Sequence, residues 1–314
     1  MSFVRGTRNF FSFPFPGGRL HRSRVPPALP LSLERLLARD RIAARRTRLS
    51  GERPVVILGR GKSGTRLLSL ACDQLGVALG ITPRRPAADI DHPPFQQAVK
   101  ALGQRYFAAN AVEAISAKDR QWFEYRAEQT WWFVRRHSPG SLAWGWKWPE
   151  TYLITPLVYA TFPRARFIHL VRDGRDVAFK RHLTDDVRRP LGRAILGHLG
   201  VTNEPRHIQA ARSWQLQVDG YLRFAECIPP SQRLELSYED LCRKPTDAAE
   251  RISEFLQLHI SWAAREWLKR NIQAHDVNQY RKASPDLVRD VEALIGPTLE
   301  KLGYALEHSS RPRA

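Results

Sequence analysis

Between Pro54 and Gly76 the chain reads PVVILGRGKSGTRLLSLACDQLG, a short apolar run, a glycine-rich basic turn and an amphipathic segment in unbroken succession. Val55 to Leu58 are aliphatic without alternation, which predicts a strand buried on both faces of a parallel sheet. Leu67, Leu68, Ala71, Cys72 and Leu75 recur at helical spacing, and Gly76 supplies a helix stop. Gly59, Gly61 and Gly64 allow the backbone to turn tightly between strand and helix, where free N–H groups and the helix dipole favour an anion. Arg60, Lys62 and Arg66 add charge, and Ser63 and Thr65 add hydroxyls. A glycine-rich turn alone predicts only a turn; a strand before it and a helix after it predict a phosphate site. The triphosphate-wrapping loop GxxxxGK[ST] needs a glycine where Val56 stands, inside the strand, so this loop has the length for a single terminal phosphate.

A chain of 314 residues accommodates one sizeable α/β domain with a full core. Its net charge of +19 predicts an anionic substrate or partner. Residues 1–53 hold twelve arginines against three acids (Glu34, Asp40 and Glu52), so about half of that excess precedes the fold and does not argue for nucleic acid. We read residues 1–50 as a basic Pro- and Phe-containing arm with a short helix at Leu33–Arg48, and residues 51–314 as the domain. The arm has no continuous apolar run, which argues against a signal peptide or a membrane span, and its prolines oppose a transit-peptide helix. It is suited to a membrane-surface or polyanion contact. Cys72, Cys227 and Cys242 lack metal or disulfide spacing, and small buried thiols in a reduced, cytoplasmic protein are expected.

The Pro-rich stretch Ile81–Pro94, ending ADIDHPPF, predicts a loop across the mouth of the sheet that shapes an acceptor site. Phe95–Arg136 reads as helical, with its aromatics in helix packing. WGWK at Trp144–Lys147 alternates like a strand, followed by a helix from Thr151 to Phe162. RFIHLV at Arg166–Val171 is a second buried-strand pattern and runs into RDGRDVAFKRH, a basic turn opening another helix. A second anion site at a second strand end would lie beside the first at the carboxyl edge of a parallel sheet; the plainer reading is a surface helix with an Asp176–Lys180 pair.

These stretches together resemble the sulfotransferase family, from about Pro54 to Tyr304. The strand, KSGT loop and helix are similar to that family's 5′-phosphosulfate loop, FIHLVRDGRDVA to its 3′-phosphate segment, and LELSYEDLCRKPTDAAERISEFLQL to its third signature. YRKASPDLVRDVEALIGPTLEKLGY resembles the closing segment of bacterial members. The resemblance implies a three-layer α/β sandwich around a mainly parallel sheet, related to the P-loop NTPase fold. It also implies transfer of a sulfuryl group, without metal, from 3′-phosphoadenosine-5′-phosphosulfate (PAPS) to an acceptor hydroxyl or amine.

Carried over, the loop implies that Lys62 touches the 5′-phosphosulfate and its bridging oxygen, with Ser63, Gly64 and Thr65 cradling the 5′-phosphate. Arg66 stands where a second Thr is common. Arg172 matches the 3′-phosphate arginine, and Lys180 stands where a Ser is usual. Tyr238 matches a tyrosine that contacts adenine in some relatives, and Arg281 and Lys282 resemble a late basic pair whose adjoining glycine is absent here. Cytosolic members place a His base two residues after a strand-borne Lys, but two after Lys147 stands Pro149. Other relatives use a carboxylate, so Glu150 and Asp91, then His92, are the candidate bases, while His169 reads as a core histidine. A P-loop kinase would need Mg²⁺ and a carboxylate at a strand end, where Arg172 stands; a nucleic-acid-binding module would explain the charge but not two anion loops. No motif names the acceptor or the oligomeric state.

Overall fold

The computed structural model describes residues 31–82, 88–109, 111–272 and 277–307, with the side chains of 31–37 left aside. Residues 1–30 of the basic arm and 83–87 of the Pro-rich loop fall outside these residues. The chain divides into two compact units, Met1–Asp40 and Arg41–Ala314. The architecture below is that of the second; the helix α1 (Leu31–Gly51) begins in the first.

After α1 the order is β1 (Val55–Leu58), α2 (Thr65–Gln74), β2 (Val77–Ala78), α3 (Pro93–Tyr106), α4 (Ala117–His137), β3 (Ala143–Lys147), α5 (Thr155–Thr161), β4 (Arg166–Val171) and α6 (Gly174–Ala178). Then follow α7 (Pro190–His198), α8 (Arg206–Glu226), β5 (Arg233–Ser237), α9 (Tyr238–Arg243), α10 (Pro245–Leu256), α11 (Trp262–Asn271) and α12 (Pro285–Lys301). The five strands are ordered β2-β3-β1-β4-β5, and every pairing is parallel.

Such a sheet must be covered on both faces, and alternate side chains of each strand supply the two cores. Val56, Leu58, Trp144, Trp146 and Phe167 pack against α3, α4, α5 and α8; Val55, Ile57, Ile168, Leu170 and Leu236 pack against α2, α9, α10 and α11. The three-layer α/β sandwich is thus as expected, with a sheet that is wholly parallel. A satellite core joins α6, α8 and α12 through Val177, Trp214, Val218, Val291, Ile295 and Leu299.

The topology decides where a ligand goes. From β1 the chain fills one side of the sheet with β2 and β3, then the other with β4 and β5, so the loop leaving β1 lies at the switch point, where a crevice opens beyond the strand ends.

Two helices depart from the sequence pattern. The expected helix at Thr151–Phe162 is split: Pro149–Leu153 forms a 3₁₀ turn, and α5 begins only at Thr155, because Pro156 has no N–H to bond back into the preceding turn and is tolerated only at a helix start. The helix after β4 lasts five residues, so Lys180 lies beyond its end. Cys72 and Cys242 are buried and Cys227 is exposed; burial pushes the Cys72 thiol up to about 12. Among the described residues no helix is long and apolar enough to cross a membrane.

Candidate active site

The loop after β1 is held in a conformation that presents backbone donors. Lys62 adopts φ +75°, the left-handed region, with its side chain exposed. For a lysine this is a strained geometry, the kind that persists where the surroundings impose it. Gly64, at φ +90°, is the N-cap of α2 and offers no side chain to bond the first-turn N–H groups, which leaves them for an anion. A Cβ at Gly64 would overlap the Tyr238 ring, so glycine is required for packing as well as for φ. Ser63 and Thr65 are buried, and Arg66 is exposed at the start of α2.

Arg60 behaves differently from the expectation that it adds charge to the loop. Its side chain is fully buried and ion-paired with Asp185, which lies far along the chain after α6. A guanidinium removed from water requires such a partner. Its charge is thereby spent inside the fold.

At the end of β4, Arg172 is 2% exposed and donates from Nη2 to Asp176 at 2.8 Å, while its guanidinium lies 4.3 Å from the centre of the Tyr238 ring. Asp176 also accepts the Tyr280 N–H at 2.8 Å. The acid that the surface-helix reading paired with Lys180 therefore serves to hold Arg172. Gly64, Tyr238 and Arg172 stack in sequence and join the two anion loops through one ring. Past α6 come Lys180, Arg181 and His182, the last packed edge-on against Gly61 so that a Cβ there would collide with it. Burial, helped by Arg60 and Lys62, pushes the His182 imidazole down to about 3, so it is neutral. Arg281 sits in the turn Gln279–Lys282, exposed and bonded to Glu307 at 2.9 Å, next to the Tyr280 that meets Asp176.

At the end of β3, Lys147 is 3% exposed and ion-paired with Asp89. The Ile90 N–H donates to the Lys147 carbonyl at 3.0 Å, so the Pro-rich loop runs directly beside β3. Of the three candidate bases, Glu150 is 2% exposed, with an Oε2 that finds no hydrogen-bond donor among the described residues, and burial raises its carboxyl above the usual range. Asp91 accepts from the Thr82 hydroxyl at 2.5 Å. His92 stacks on Phe133 at 4.9 Å and shares a hydrogen with Thr130 at 3.0 Å, away from the strand ends. His169 is a core residue, bonded to the Tyr152 hydroxyl at 2.7 Å through Nε2, and burial pushes it down to about 3.

A cleft of about 840 Å³ gathers these strand ends, lined by Gly61, Lys62, Gly64, Thr65, Arg66, Asp89, Lys147, Pro149, Arg172, Lys180, Arg181, His182 and Tyr238. It brings together Lys62, Gly64, Thr65, Arg66, Lys147, Arg172, Lys180 and Tyr238 from the sequence reading and does not include Ser63, Glu150, Asp91, His92 or Arg281. Asp89 was not singled out in the sequence, where it is one of two acids in ADIDH with nothing local to rank them. Six cations against one carboxylate make this a site for a multiply charged anion. Among the described residues no group of three or more His, Cys, Asp or Glu side chains could hold a metal ion.

Residues 54–263 match the model of a family described as the sulfotransferase family. Among solved structures, a sulfotransferase domain from the curacin biosynthetic pathway aligns with TM-score 0.52 and 16% identity, over 81% of this chain and 99% of that one. A sulfotransferase from Mycobacterium avium aligns with TM-score 0.51 and 18% identity, over 87% of this chain and 82% of its own. At these identities the likeness speaks for the fold. No curated protein matches the chain at a significant level.

Proposed function

The chain belongs to the sulfotransferase family, and from that premise we propose that it moves a sulfuryl group from PAPS to an acceptor hydroxyl or amine. The observation that carries this reading is that two cationic strand ends, Lys62 and Arg66 after β1 and Arg172 and Lys180 after β4, open onto one cleft and are joined by Tyr238. One phosphate loop would serve any phosphoester; two, in a crevice of nucleotide size, suit a nucleotide phosphorylated at both ends. The uncapped start of α2 beside Gly64 fits a 5′-phosphate, and Arg172, prearranged by Asp176, fits a 3′-phosphate.

PAPS supplies a sulfuryl group on a good leaving group. As the S–O bond breaks, charge grows on the bridging oxygen, and Lys62, exposed on a strained loop, is the donor we assign to it. Arg66 and Lys147 add positive charge to the lining of the same cleft. We assign the chain to the cytoplasm, where cysteines without disulfide spacing stay reduced.

Calorimetry tests the donor. Adenosine 3′,5′-bisphosphate should bind in the presence of a chelator, and ATP with Mg²⁺ should bind more weakly; the reverse order would favour a kinase and overturn the reading. Lys62→Ala should lower turnover at saturating PAPS by on the order of 10²-fold or more, as removal of a transition-state donor does.

A further inference from the structure

We propose that Asp89 is the group that takes the acceptor's proton, with Lys147 holding its carboxylate in place. The assignment rests on the sulfuryl-transfer reading and deepens it. Among the described residues that line the cleft, Asp89 is the only carboxylate. It shares that lining with Lys62 and Arg66 from the phosphosulfate loop, and its side chain keeps 16% exposure while Lys147 beneath it keeps 4%. A base must reach the proton it removes, and geometry ranks before pKa in choosing one. On this criterion Glu150, 2% exposed and outside the cleft lining, and His92, stacked on Phe133, are set aside. Asp91 bonds the Thr82 hydroxyl and its N–H donates to the Gly80 carbonyl, outside the cleft lining.

The step balances as follows. An Asp89 oxygen accepts the proton of the acceptor hydroxyl, the acceptor oxygen forms its bond to sulfur, and the bond from sulfur to the bridging oxygen breaks with its electron pair leaving on the nucleotide. Lys147 is a positioning residue here: its ammonium keeps the carboxylate aimed without touching the acceptor. Glu150 lies close enough to Lys147 to favour its charge.

A competing role is available, in which Asp89 does no more than neutralise a lysine that burial would otherwise discharge. The two differ in how the loss of Asp89 depends on the acceptor. Asp89→Asn should bind adenosine 3′,5′-bisphosphate as the wild type does, yet transfer sulfuryl from labelled PAPS to aliphatic alcohols and to water on the order of 10²-fold more slowly. With 4-nitrophenol at a pH where the phenol is already ionised, the deficit should shrink several-fold, because no proton remains to be taken. An equal deficit with every acceptor, or no deficit, overturns the assignment while leaving the family reading intact. Wild-type protein that leaves PAPS unchanged with water and all acceptors overturns the transfer reading, and the role of Asp89 falls with it. Should Asp89→Asn fail to fold, Asp89→Glu keeps the charge beside Lys147 and displaces the carboxylate; an unaltered ratio of alcohol to phenol rates together with an unaltered alcohol rate would equally count against the assignment.

Discussion

At the scale of single residues, the site combines guanidinium and ammonium donors of different geometry and reach. Arg172 is locked by Asp176 and the Tyr238 ring, whereas Lys180 stands past the end of α6 on a flexible stem at the cleft. A lysine where relatives carry a serine offers the 3′-phosphate a point charge in place of a hydroxyl. Lys180→Ser should therefore weaken adenosine 3′,5′-bisphosphate by a few-fold and Lys180→Glu by much more, on the order of 10²-fold, since charge-assisted bonds are about twice as strong as neutral ones. Titration of the same variants with the analogue lacking the 3′-phosphate checks the cause: an equal loss for both ligands removes Lys180 from the 3′-phosphate. Gly64→Ala is a second test, because the added methyl meets both a positive φ and the Tyr238 ring; binding should fall about tenfold or more, consistent with strain of roughly 1–3 kcal/mol. The placement of Lys62, Arg172 and Tyr238 at the cleft was legible in the sequence because Arg172 and Tyr238 directly follow β4 and β5 and Lys62 stands in the short turn that joins β1 to α2. Asp89 was not, because which of two neighbouring acids faces the cleft depends on how the Pro-rich loop lies along β3, a register no local pattern encodes. The intended role of Arg60 failed for a related reason: its partner Asp185 is remote in sequence, and only the folded chain shows that the charge is already used.

At the scale of elements, that Arg60–Asp185 pair is what binds the loop after β1 to the segment after α6. Asp185 also accepts the His182 N–H at 3.1 Å, so one carboxylate fixes both the phosphate loop and the histidine packed against Gly61. Removing it leaves a fully buried guanidinium without its ion pair. Asp185→Ala should cost about 3–5 kcal/mol in denaturant unfolding, the usual penalty for orphaning one member of a buried pair. The double change Arg60→Met with Asp185→Leu should recover much of that stability, because it removes both charges together. A double variant no more stable than Asp185→Ala would show that the pair is not the source of the loss. β1 and β4 were readable from their unalternating apolar runs and β3 from the alternation of WGWK, as was the carboxyl-edge position of the two loops; the two-residue β2 carries too little pattern to be read. The bounds of the helices after Pro149 and Asp173 were not readable, since the residue pattern runs on past the points where the folded chain breaks at Ile154 and stops at Ala178.

For the molecule as a whole, burial of neutral histidines sets its response to acid. His169 lies in the middle of β4 and His182 beside the cleft, and burial holds both down to about 3. In the unfolded chain each returns to about 6.5. The folded state therefore binds fewer protons than the unfolded state below that value. Stability is fully present above pH 6.5 and is lost as pH falls through 6.5 towards 3, at about 1.4 kcal/mol per pH unit for each histidine once well below 6.5. The buried carboxyls of Glu150, Asp173 and Glu239 act in the opposite sense, because burial raises them and protonation is easier in the fold than outside it. They gain protons in the folded state as pH falls, which offsets part of the loss near the carboxylate range and concentrates the histidine effect at mildly acid pH. Between pH 7 and 5.5 the two histidines together should remove about 2.5 kcal/mol of unfolding free energy. Denaturant titrations at the two pH values measure this, and a His182→Asn variant supplies the control, since it should lose roughly half of the pH dependence while the His169 share remains. A wild type equally stable at both values would mean that the histidines are protonated in the fold or that the opposing carboxyls cancel them. The variant separates these outcomes: in the first case His182→Asn leaves the profile flat, and in the second it makes the protein more stable at pH 5.5 than at pH 7.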